Sequence, residues 1–126
     1  MKPSERDFIF YLEDIQLAIN KIQECIQNFS NYSDLENDWI YYDAVLRNLE
    51  VIGEAANQIP EFVKEKFTEV PWKDMYRTRN ILIHHYFGVD SEIIWNIVTI
   101  NLPDCLPFLE LIISFYKDQN YSADLQ

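Results

Sequence analysis

The chain has 126 residues, 21 acids against 10 bases (a net charge of −11), and 48% hydrophobic residues. That is enough apolar material for the core of one domain and too much for a disordered chain. Gly53 and Gly88 are the only glycines, so neither GxGxxG nor GxxxxGK[ST] phosphate loops occur and a turn-rich sandwich or barrel is disfavoured.

The start of the chain, MKPSERDFIF, is charged and carries no signal-peptide pattern. No apolar run reaches the roughly 18 residues of a membrane span. These features predict a soluble, cytoplasmic protein with no membrane contact.

Ser4, with Asp7 three residues on, predicts the start of a first helix. Phe8, Leu12, Ile15, Ile19, Ile22, Ile26 and Phe29 follow at alternating spacings of four and three, the seam of a bundle helix. Residues 28–34 read as a loop. A second helix is expected from Glu36 to Ile59, with the seam Tyr42, Val45, Leu49, Ile52, Ala56 and Ile59. Gly53 sits inside it at a cost of about 1 kcal/mol relative to Ala, a cost that close approach of another helix would offset. Pro60 ends this segment, and Glu61 to Phe67 reads as a short helical turn.

Pro71 suits the first position of a third helix, whose apolar side is Trp72, Met75, Leu82 and Ile83, with Gly88 as C-terminal cap. Asp90 caps a fourth helix with the core side Ile94, Val98, Leu102, Cys105, Leu109, Ile112 and Tyr116. Pro103 and Pro107 should bend it. Residues 117–126 read as a frayed polar tail. The expected architecture is a single all-α domain over residues 1–126, an up-and-down bundle of four main helices plus a short one. Cys25 and Cys105 are expected as buried, reduced thiols.

Function is concentrated in residues 70–89, which hold Lys73, Arg77 and Arg79 against one acid, Asp74. Both histidines, His84 and His85, lie there too. This basic stretch suits a cleft for one phosphate group; pairing of its bases with acids elsewhere in the fold is the competing reading. Arg79-Asn80-Ile81-Leu82-Ile83-His84-His85-Tyr86 contains R-x4-H-x-Y. Arg offers paired donors to phosphate oxygens, and His takes and gives protons near neutral pH. Together they suffice to cleave RNA without a metal. The imidazole serves the ribose 2′-OH or the leaving 5′-oxygen, and the guanidinium stabilises the phosphorane.

On one helix Asn80 and His84 share a face, so Asn80 can orient the imidazole. Arg79 and His84 are about 140° apart, whereas Arg79 and Tyr86 are nearly eclipsed. A straight helix does not converge Arg and His. Either the helix distorts before Gly88 or two chains combine their groups in one cleft. Adjacent histidines with no third ligand nearby argue against a metal site, and no cofactor motif is present.

The run R-N-x-L-x-H-x-Y-F-G-V-D resembles the signature of the HEPN superfamily, and within it the HepT-like toxin branch paired with minimal nucleotidyltransferase (MNT) antitoxins. A second block, Arg47-Asn48-Leu49-Glu50-Val51-Ile52-Gly53-Glu54-Ala55, is similar to that branch, as is Trp95 followed by Leu102-Pro103. The resemblance spans about residues 5–116. It implies a helical bundle that forms a homodimer and a metal-independent endoribonuclease acting on tRNA or other RNA. Arg79 and His84 would be catalytic and Asn80 supporting. Tyr86 would receive AMP from the nucleotidyltransferase and silence the toxin. His85 inherits no role. The alternative is a non-catalytic HEPN module that binds nucleotides or scaffolds a nucleotidyltransferase.

Overall fold

Alternating spacings of three and four along each segment fold into packed helices. The computed structural model describes residues 7–85 and 88–124. Its elements are α1 (Phe8–Ile26), α2 (Tyr32–Asn37), α3 (Trp39–Asn57), α4 (Glu61–Lys66), α5 (Trp72–His84), α6 (Ser91–Asn96), a π-helical segment (Ile97–Asn101) and α7 (Leu102–Asp124). Among the described residues no strand occurs. The chain is all-α, as the periodicity predicts.

Helix α3 packs against both α1 and α5, and α1 also packs on α7. Leu12, Ile15, Ile19 and Ile22 from α1 are fully enclosed, with Val45 and Ala56 from α3 and Val98, Leu109 and Ile112 from the last helical stretch. All belong to one core. Ile19→Ala should therefore cost about 2–5 kcal/mol, read as a fall in the urea midpoint with no change in its slope. Retention of the full parental midpoint would contradict this packing.

Several boundaries differ from the expectations. Ser4 lies outside the described residues, and Asp7 itself caps α1, its carboxylate accepting from the Ile9 N–H at 2.9 Å. The loop expected over 28–34 already contains the start of α2, capped by Asn31, whose side-chain oxygen accepts from the Asp34 N–H at 2.9 Å. The expected helix from Glu36 to Ile59 is broken at Asp38 (φ −102°, ψ 89°), which closes α2 and caps α3. No Gly or Pro marks that break; a capping carboxylate makes it, satisfying the Tyr41 N–H.

Pro71 is the N-cap of α5 rather than its first helical residue, and the Trp72 indole N–H bonds the Phe67 carbonyl at 2.9 Å to anchor the entry. The helix ends at His84, with His85 as C-cap at φ −135°, ψ 40°. Gly88 has no positive φ and is not the expected cap. Instead its N–H bonds the His85 carbonyl at 2.9 Å. Ile83, expected in the core, is 46% exposed.

Asp90 caps α6 as expected, accepting from the Glu92 N–H at 2.9 Å. Pro103 has no N–H to return to the Thr99 carbonyl. The helix widens into a π turn just before it, with the Leu102 N–H reaching the Ile97 carbonyl. The helical state then continues through Pro107 to Asp124, past the expected frayed tail. An ion pair from Lys117 Nζ to Glu13 at 3.5 Å ties it to α1.

The stretch Ser91–Gln119 is long and apolar enough, by length and composition, to cross a membrane, with a hydropathy of 1.5 over its most apolar window. It is not an unbroken apolar run, because Asn96, Thr99, Asn101, Asp104 and Glu110 interrupt it. Ile94, Val98, Leu102, Cys105, Leu109 and Ile112 from this stretch are core residues, as its seam predicts. Cys105 is buried, whereas Cys25 is only half-buried; both are free thiols. Burial pushes each thiol up from its ordinary range, and the neighbouring Asp104 or Glu24 adds to the shift. That opposes a role as nucleophile.

Candidate active site

Helix α5 buries Trp72, Met75 and Leu82 and packs chiefly on α3. The close approach anticipated at Gly53 is real. A Cβ built there would collide with the Arg79 Cβ and stand 2.6 Å from the Met75 carbonyl oxygen. The missing side chain therefore sets the spacing of the two helices at the first residue of the R-x4-H motif.

That spacing places Arg79 against α3. Its Nη2 pairs with Glu54 Oε2 at 3.0 Å, and its Nη1 donates to the Asn80 side-chain oxygen at 2.7 Å. Its guanidinium carbon lies 5.7 Å from the centre of the Tyr76 ring. The side chain is 26% exposed, so it is held from three sides with one side open. Asn80 thus takes Arg79 as its partner, not the imidazole that the shared helix face suggested.

His84 and His85 are both exposed. Helix α5 runs without interruption from Trp72 to His84, so the separation of about 140° between Arg79 and His84 persists. Tyr86, which was to eclipse Arg79, lies outside the described residues.

Arg79 opens into a groove of about 420 Å³ between α1, α3 and α5, which Arg47, Val51 and Ile83 also line. Glu54, Tyr76 and Arg47 were not singled out from the sequence. The signal for Glu54 was its place next to Gly53 in the second block. One base of the stretch pairs with an acid elsewhere in the fold, as the competing reading expected: Arg79 with Glu54 at 3.0 Å. Arg77 pairs within the stretch, with Asp74 at 3.2 Å. Among the described residues no group of three His, Cys, Asp or Glu side chains is placed to hold a metal ion.

Residues 15–112 match the family model described as ribonuclease HepT-like. Two proteins of Methanocaldococcus jannaschii, each named "Putative RNase", are similar. One is 40% identical over 86% of this chain and 99% of its own length, the other 41% identical over 81% and 92%. A Thermococcus cleftensis protein named "Probable ribonuclease HepT" is 43% identical over 82% of this chain and 90% of its own. No solved structure matches significantly. With the family model covering most of the helical core and the R-x4-H helix seated on it, this chain belongs to the HepT-like ribonuclease family.

Proposed function

We propose that this protein is a metal-independent endoribonuclease toxin acting on tRNA or other RNA, with Arg79 and His84 as its catalytic residues. The observation that carries the proposal is the state of Arg79. Its guanidinium is fixed by Glu54 and Asn80 yet open to a groove, as a preorganised phosphate ligand requires. Its bonds to described residues use two of its five N–H donors, and the other three can serve phosphate oxygens.

The chemistry balances with these groups. The His84 imidazole removes the 2′-OH proton, and the 2′-oxygen attacks phosphorus. Arg79 stabilises the charge on the phosphorane. A second imidazole protonates the 5′-oxygen as its bond to phosphorus breaks. The products are a 2′,3′-cyclic phosphate and a 5′-OH.

A homodimer supplies the second imidazole and resolves the angular separation. Ile81 lies inside the motif on α5 and is 45% exposed, on the side of the helix away from the groove-lining Ile83, which offers an apolar contact for a second copy. Arg79 of one protomer then faces His84 of its partner. The acidic body keeps other RNA away from the remaining surface.

The partner antitoxin is an MNT nucleotidyltransferase. The Tyr86 oxygen attacks the α-phosphorus of ATP, pyrophosphate leaves, and the phenolic proton is lost. The new phosphodiester and adenosine resemble RNA and occupy the space it needs.

Incubation with total tRNA tests the proposal. Cleavage should persist in EDTA and leave cyclic phosphate ends. Loss of activity in EDTA that added metal restores would sink the mechanism. A chain that binds nucleotide or the nucleotidyltransferase but leaves RNA intact would fit a scaffold instead. Tyr86→Phe should stay active in the presence of nucleotidyltransferase and ATP; full silencing of that variant would place the switch elsewhere.

A further inference from the structure

We infer that Arg47 is a second phosphate-binding residue, and that the groove between Arg47 and Arg79 seats the single-stranded RNA segment next to the cleaved bond. The inference rests on the ribonuclease reading and extends it to substrate binding. Arg47 and Arg79 line the same groove, together with Val51, Ala55 and Ile83. Each arginine is steadied by an acid on α3, Arg47 by Glu50 at 3.3 Å and Arg79 by Glu54 at 3.0 Å.

Helix register places the two cations. Arg47 and Glu54 are seven residues apart on one stripe of α3, about 10 Å along its axis. Arg79 is seated at Gly53 and Glu54. Ile83, one turn further along α5, lines the same groove. The two guanidinium groups share it with an apolar floor of Val51 and Ala55.

This arrangement suits a strand with phosphates at both ends of the groove and a ribose or base on the apolar floor. Asp14, Glu50 and Glu54 also line the groove, so an anion is welcome only at its two arginines. Arg77 provides an internal comparison. It makes the same kind of i,i+3 pair, with Asp74 at 3.2 Å, and its side chain is 71% exposed against 74% for Arg47. It lines a different cavity, with Leu49, Ile52 and Asn101.

The test measures binding of fluorescently labelled total tRNA to the full His84→Ala chain across a salt series, with Arg47→Ala or Arg77→Ala added. Melting temperatures verify that each chain folds. Arg47→Ala should weaken binding about tenfold and reduce the slope of log affinity against log salt by about one. Arg77→Ala should match the His84→Ala parent. Equal losses at the two arginines, no loss at Arg47, or no salt-dependent tRNA binding by the parent would each overturn the inference. Arg47-dependent binding by a protein whose wild type leaves tRNA uncut would count against the ribonuclease reading alone.

Discussion

Arg79→Ala and His84→Ala chains, each purified alone, should cleave RNA at least about a hundredfold more slowly than the parent. Both should melt close to the parental temperature. His84 is exposed, so its truncation opens no cavity in the core. Loss of Arg79 leaves Glu54 without its partner, but that carboxylate is 55% exposed and water can replace the guanidinium. A large loss of rate without loss of fold is the signature of groups that act on the substrate.

The dimer adds a sharper test. When the two inactive chains are unfolded together and refolded, some mixed dimers carry one intact Arg79 facing one intact His84 and should regain part of the activity, with water in place of the second imidazole as the acid. Mixing folded chains without exchange should restore none. A fully active, strictly monomeric protein in sedimentation would remove the composite site.

Gly53→Ala, outside the motif, should lower both stability and rate. Ordinarily the substitution favours a helix by about 1 kcal/mol. Here the new methyl would collide with the Arg79 Cβ and stand 2.6 Å from the Met75 carbonyl oxygen. Neither obstacle is the free end of a flexible side chain, so rotamer changes cannot relieve the contact and α5 must move away from α3. Overpacking of this kind costs about 1–3 kcal/mol.

Steric strain should outweigh the propensity gain and lower Tm by about 5 °C or more. The same displacement draws Arg79 away from Glu54, so the RNA cleavage rate should fall as well. Gly88→Ala is the matched control. Nothing lies within 4 Å of its added Cβ and its φ is not positive, so Tm should hold or rise slightly. A Gly53→Ala protein as stable and as active as the parent would show that the contact is not what spaces the helices.

The repeated spacing of three and four by itself determined the helical class and most of the core. Leu12, Ile15, Ile19 and Ile22 are fully buried, as are Val98, Leu109 and Ile112, because that period defines one stripe on a helix and a stripe of large apolar side chains must leave water. The sequence also carried the motif, its family resemblance, and the value of Gly53 as a point of close approach. Ends of helices were less legible. Asp38 breaks the expected second helix through a capping bond, and α5 stops at His84 ahead of the glycine that looked like its cap.

What only the tertiary structure decided is which groups from other helices meet Arg79. Periodicity states which face of a helix is buried, but the partner across the interface depends on how far one helix slides along the next. In this protein the register is set where the bare backbone of Gly53 admits the stem of Arg79. That contact brings Glu54 to the guanidinium and puts Arg47 on the same groove.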